Sequence, residues 1–146
     1  ATGFNMSVMG DIPFAVDGAP VEPPDVVTYR GMMWSGVPNM AVVFGYFRTS
    51  WTMRSDMISD FVCRLLTRMD EKGASSVTPT IQPTDENMGR LPWIDPENFN
   101  PGYLTRALDI LPKQGDRDPW RFENDYYVER HILPDIDLGE PELVYT

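Results

Sequence analysis

The chain contains one cysteine, Cys63, and one histidine, His131. A single cysteine excludes an intrachain disulfide and a Cys-rich metal site, and it fits a reducing compartment such as the cytoplasm. The lone histidine lies in a polar stretch, far from any serine or cysteine of evident nucleophile type. A Ser-His-Asp or Cys-His system is therefore unsupported. Basic residues are scarce: 12 Lys and Arg stand against 22 Asp and Glu, a net charge of −10. A phosphate-backbone binder needs a basic face, so nucleic acid is not an expected partner. No basic cluster offers a patch for an anionic membrane, and the acidity reads as a solubility feature. No apolar run approaches the ~20 residues that span a bilayer. Residues 1–20 lack the basic start and apolar stretch of a signal peptide. Neither a GxGxxG fingerprint nor a P-loop is present.

What is present is the material of one domain, 146 residues, with 14 prolines and 11 glycines. Hydrophobic residues make up 42% and charged residues 23%, so wholesale disorder is not expected. The prolines and glycines predict sparse regular structure outside one central unit, residues 36–71. There, Met40–Phe44 (MAVVF) reads as a strand. Gly45–Trp51 (GYFRTSW) reads as a loop. An amphipathic helix follows, with Met53, Met57, Ile58, Phe61, Val62, Leu65, Leu66 and Met69 on its apolar stripe. Arg54, Asp56, Asp60, Arg64, Thr67 and Arg68 fall on the opposite face. Gly73 supplies the stop. About 20 helical residues span ~30 Å, enough to cross a domain.

Around this unit the elements are smaller. Asp17-Gly18, flanked by Phe14–Val16 and Ala19–Val21, predicts a type I′ hairpin, and Val26–Tyr29 predicts a strand. Residues 76–81 lean towards strand. Asn100 and Pro101 suit the start of a second helix over Tyr103–Leu111. Asn124–Val128 could be a strand or a helical turn. The tail from Ile132 carries prolines and carboxylates and predicts little packing. No single interior can be completed from these parts with confidence. The first residues, ATGFN, read as the continuation of a longer chain.

Each chemistry-bearing residue has a plain role and a sharper one. Pro38-Asn39 is first of all a turn. Ser50 and Thr52 would cap the long helix. With Trp51 they could instead present its free N–H groups and positive dipole end to a carbonyl or anion. Asp56 and Asp60 share a helix face, but no further metal ligand is evident. Cys63, beside the apolar stripe, reads as packed and inert. Asp116, Asp118 and Glu123, around Arg117 and Arg121, read as a self-neutralising loop. The residues alone name no reaction.

A resemblance adds to this. ATGFN, then YRGMMWSGVPNMAVVFGYFRTSWTMRSDMISDFVCRLLTRMD, then FNPGYLTRALDILPKQGDRDPWR, form an ordered series over about residues 1–122. The series resembles the C-terminal part of flavin-containing monooxygenases of the Baeyer–Villiger and ethionamide-activating type. The resemblance implies an α/β fold: the C-terminal fragment of a flavoprotein with two dinucleotide-binding domains. It would contain a β-hairpin, a short strand pair, the long amphipathic helix and an irregular Pro-rich tail. Residues 1–73 would complete the FAD-binding domain, and residues 74–146 would form an extension with one helix. The implied cofactors are FAD and NADPH, and the implied partners are O2, a small organic substrate and a preceding N-terminal region of the same enzyme. Such an enzyme oxygenates a ketone, sulfide or amine through a flavin C4a-(hydro)peroxide. The implied flavin-side residues are Thr2 and Gly3 at the crossing between domains, Pro38, Asn39 and Met40 beside the flavin, and Ser50, Trp51, Thr52 and Met53 against its ring. No catalytic or metal-ligating residue is implied. The alternative is a non-catalytic interaction module that offers the apolar face of the helix to a partner.

Overall fold

Apolar residues at i, i+3 and i+4 build the dominant element, helix α1, Trp51–Lys72, in the computed structural model, which describes residues 5–146. The site candidates Thr2 and Gly3 lie outside the described residues. Ile58, Phe61, Leu65 and Met69 are buried along one stripe of α1. The helix ends at Gly73, which is left-handed at φ 63°. Two expectations fail: Leu66, a member of the expected stripe, is 55% exposed, and Cys63, expected to pack beside it, is exposed. Cys63 lies between Phe61 and Leu65 in sequence but a helical step away from their face, so it turns outward.

Strands β1 (Phe14–Val16) and β2 (Ala19–Val21) form the expected hairpin, with Asp17 at φ 51° and Gly18 at φ 82°. Those paired positive values are what a type I′ turn requires. Strands β3 (Thr28–Tyr29) and β4 (Met33–Trp34) form a short antiparallel pair. Met40–Phe44 differs from expectation. It makes only one isolated bridge, Ala41 with Met33, although half-buried and exposed residues alternate along it. The period-2 pattern is there, but β4 is two residues long and cannot sustain a ladder beside it.

After α1, β5 (Val77–Pro79), β6 (Arg90–Pro92), α2 (Gly102–Thr105), β7 (Lys113–Gly115), α3 (Tyr126–Ile132) and β8 (Leu143–Tyr145) follow. β6 pairs with β7, and β5 with β8, both antiparallel. The expected helix over 103–111 shrinks to α2. Beyond it Ala107 and Ile110 donate to carbonyls three residues back, in tight turns, while Leu104, Ala107 and Leu111 stay buried. A stripe this short does not offset the cost of nucleating a helix, and packing dictates the turns.

The tail is the largest departure. Leu133, Ile136 and Leu143 are buried in the main apolar cluster with Val27, Tyr29, Phe61, Leu65, Val77 and Trp120. β8 aligns Tyr145 with Val77 and Leu143 with Pro79. The prolines and carboxylates sit between these apolar anchors and do not prevent them from packing. Two further apolar clusters flank the main one. The molecule is thus mixed α/β, with small antiparallel pairs around one long helix. Among the described residues, no helix is long and apolar enough to cross a membrane.

Candidate functional site

The segment Phe44–Arg54 carries the turn into α1. The Phe44 ring anchors it, with centroids 4.8 Å from Trp51 and 4.6 Å from Trp93. Gly45 is required here because a Cβ at that position would run into the Trp51 indole. Asn124 clamps the turn from outside: its Oδ1 accepts from Phe47 N at 3.0 Å, and its Nδ2 donates to Gly45 O at 3.2 Å.

The start of α1 is open. Ser50 occupies the N-cap position in an extended conformation (φ −65°, ψ 131°), yet among the described residues no side chain caps the first turn. The expected Ser50 or Thr52 cap is therefore not made. Their hydroxyls bond each other at 2.8 Å instead, which turns both away from the helix N–H groups. Ser50 and Thr52 are exposed, Trp51 is 50% exposed and Met53 is half-buried.

Arg54, expected on the solvent face, is fully buried. A guanidinium out of water needs partners for its N–H groups. Nε donates to Glu129 Oε2 at 2.8 Å and Nη2 to Glu129 Oε1 at 3.0 Å, a bidentate pair with side chains 0% and 3% exposed. Nη1 donates to Phe44 O at 2.8 Å and Nη2 also to Arg30 O at 2.9 Å. The Phe122 ring lies 4.6 Å from the guanidinium carbon. Tyr46 Oη donates to Glu129 Oε2 at 2.6 Å. Burial, and then the Glu129 carboxylate, hold the Tyr46 phenol well above its ordinary pKa. The signal for this network was in the spacing. Residues 54, 58, 61 and 65 are separated by four, three and four, so Arg54 continues the buried stripe. Glu129, Leu133 and Ile136 repeat the same interval.

Pro38–Met40 pack elsewhere. Asn39 Nδ2 donates to Ser75 O at 3.1 Å, and its Oδ1 accepts from Val77 N at 3.0 Å. The Asn39 side chain thus fixes the entry to β5. Met40 packs with Val26, Trp34 and Val37. The two groups of expected flavin-side residues therefore belong to different packing neighbourhoods.

A cleft of about 800 Å³ runs beside the turn, walled by Phe47, Arg48, Trp93, Phe99 and Tyr126 among others. None of Pro38–Met40 or Ser50–Met53 lines it. Glu123 on its wall has a raised pKa, chiefly through burial. Among the described residues, no group of three or more His, Cys, Asp and Glu is placed to hold a metal ion. His131 is exposed and its Nε2 accepts from Arg130 Nε.

No family model and no solved structure matches the chain. Individual proteins do. It is 41% identical over all of its 146 residues to the FAD-containing monooxygenase EthA of Mycolicibacterium smegmatis. It is 42% identical, over 91% of its length, to EthA of Mycobacterium tuberculosis. It is 38% identical, also over 91%, to a protein of Acinetobacter baylyi named as a probable FAD-binding monooxygenase, AlmA. The chain spans only 29%, 26% and 26% of these relatives, and the part matched is their C-terminal part. Aligned from end to end at such identities, the chain belongs to the family of FAD-containing monooxygenases.

Proposed function

We propose that this chain is the C-terminal part of an FAD- and NADPH-dependent monooxygenase. The whole enzyme inserts one oxygen atom of O2 into a ketone, sulfide or amine, with Baeyer–Villiger oxidation among its reactions. The observation that carries the reading is end-to-end likeness to FAD-containing monooxygenases in a chain whose long helix begins open and uncapped. The donor set fits a flavin. Among the described residues no side chain meets the first-turn N–H groups; with the positive end of a 22-residue helix behind them, they suit the electron-rich pyrimidine edge of the ring.

Bound FAD supplies the redox and oxygen-activating chemistry. The role of this chain is to bind and orient. Ser50, Thr52 and Met53 present backbone N–H groups, and the half-exposed Trp51 indole offers a flat apolar surface. By the family resemblance, Pro38, Asn39 and Met40 would serve the flavin from their own packing neighbourhood, and Thr2 and Gly3, outside the described residues, are the further candidates. The phosphate-holding fingerprints and the NADPH site belong to the rest of the polypeptide, so the chain alone is inactive. The reading as an interaction module rested on an uncovered apolar face of α1, and Ile58, Phe61, Leu65 and Met69 on that face are buried within this chain.

Ser50→Asp, made in the full-length polypeptide that carries this chain, tests the reading. Ser50 already has N-cap geometry, so Asp should cap the helix and raise stability by about 0.5–1 kcal/mol. The same carboxylate would occupy the donors offered to the flavin, and FAD should be retained less well. A stabilised variant that keeps FAD as the parent does would refute the flavin-facing turn.

A further inference from the structure

We propose that Glu129 is a positioning residue for the turn that meets the flavin, acting through Arg54 and Tyr46. The proposal rests on the reading of that turn as flavin-facing.

Glu129 is the buried residue of α3, a helix whose Tyr127 and Val128 are 67% and 41% exposed. A short helix that buries a carboxylate is not placed by apolar packing. Its carboxylate takes the guanidinium in bidentate geometry and also accepts from the Tyr46 phenol. Arg54 lies three residues beyond the start of α1, and Tyr46 lies in the turn before it. Arg54 passes the constraint on to Phe44 O and Arg30 O. Asn124, just ahead of α3, fixes Gly45 O and Phe47 N. The segment 44–54 is therefore held at both ends and in the middle, and most of those ties run to 124–129.

Stability alone does not explain a charged pair here, because removing both charges together costs far less than removing one. A bidentate guanidinium–carboxylate contact adds direction. It fixes how the first turn of α1 is aimed. The N–H groups of Ser50, Thr52 and Met53 then stand at a set angle to whatever ring rests on them, with supporting contacts behind the site.

The test uses Glu129→Gln and Tyr46→Phe in the FAD-loaded full-length polypeptide, at a temperature where circular dichroism shows each variant folded. The readouts are the flavin absorption bands and the FAD retained on dilution. Glu129→Gln should shift the bands and weaken retention by about tenfold, the scale of one charged hydrogen bond. Tyr46→Phe should shift them in the same direction by less. If Glu129→Gln does not fold, Tyr46→Phe decides, because it leaves the ion pair intact. Folded variants with the parent's flavin spectrum and retention would overturn the proposal. Ser50→Asp separates the two levels: if it weakens FAD while the other variants do not, only the positioning role fails. If Ser50→Asp has no effect either, the flavin-facing turn fails with it.

Discussion

Replacing both members of the Arg54–Glu129 pair should be less damaging than replacing either one. The perturbation is a cycle of Arg54→Met, Glu129→Met and the double variant. Both side chains are essentially inaccessible, at 0% and 3% exposure, so water cannot re-solvate whichever charge is left behind. Glu129→Met strands a guanidinium that keeps only the carbonyls of Phe44 and Arg30 and the Phe122 ring. Arg54→Met strands a carboxylate whose remaining donor is Tyr46. Each single change should therefore cost about 3–5 kcal/mol. The double variant removes both charges and leaves apolar volume in their place. Its residual cost is the Tyr46 hydroxyl and the two carbonyls left without their partners, about 1 kcal/mol for each neutral group at the low end of the usual range, ~3 kcal/mol in all. Simple addition would predict about 6–10 kcal/mol, a large part of the ~5–15 kcal/mol that stabilises a domain. Urea unfolding followed by tryptophan fluorescence gives the four free energies. Single losses below ~1 kcal/mol, or a double loss equal to the sum of the singles, would refute a buried, mutually dependent pair.

Two further outcomes are expected. Tyr29 and Tyr46 have pKa values pushed above the ordinary 10.0, first by burial and then by hydrogen bonds to Glu140 and Glu129. Because the folded values are raised, the stability these phenols contribute is complete below pH 10 and is lost as pH rises through them. In a spectrophotometric titration of the six tyrosines, these two should ionise last and together with unfolding; all six ionising near pH 10 in folded protein would contradict their burial. The isolated chain should also fail to form a stoichiometric yellow complex when FAD is titrated at micromolar concentration, and a tight one-to-one complex would show that it does not need the rest of the enzyme to hold the cofactor.

The long helix and the hairpin were legible because each is specified locally. The 3.6-residue apolar period with a glycine stop marks α1, and Asp17-Gly18 between apolar arms marks β1–β2. Elements whose form depends on distant partners were not legible. MAVVF has a strand's alternation but meets only a two-residue neighbour. The stripe over 103–111 has a helix's period, but it folds into turns under the second apolar cluster. At the site, Ser50 and Thr52 have capping chemistry and bond each other instead. Arg54 reads as part of the polar face opposite the stripe, although its place in the interval 54, 58, 61, 65 marks the buried side. A charged residue in register with an apolar stripe signals a buried partner, and Glu129 shows the same register with Leu133 and Ile136.

The end of the chain follows the same logic twice. Tyr46 and Arg54 converge on Glu129, and Tyr29 and Arg30 converge on Glu140, with Arg30 Nη2 3.4 Å from its carboxylate. In each case a phenol and a guanidinium from the first half of the chain share one carboxylate from the last 18 residues. By composition Glu140 belongs to the acidic, proline-broken tail from Ile132 that is expected to pack little, and Glu129 lies just before it. By position each is the counter-charge for a cation that the earlier elements have already removed from water. Without Glu129, the start of α1 would carry an uncompensated buried arginine beside the open turn. The residues that order this turn thus lie 75 to 83 positions beyond the groups they hold, and no local reading of residues 44–54 could have found them.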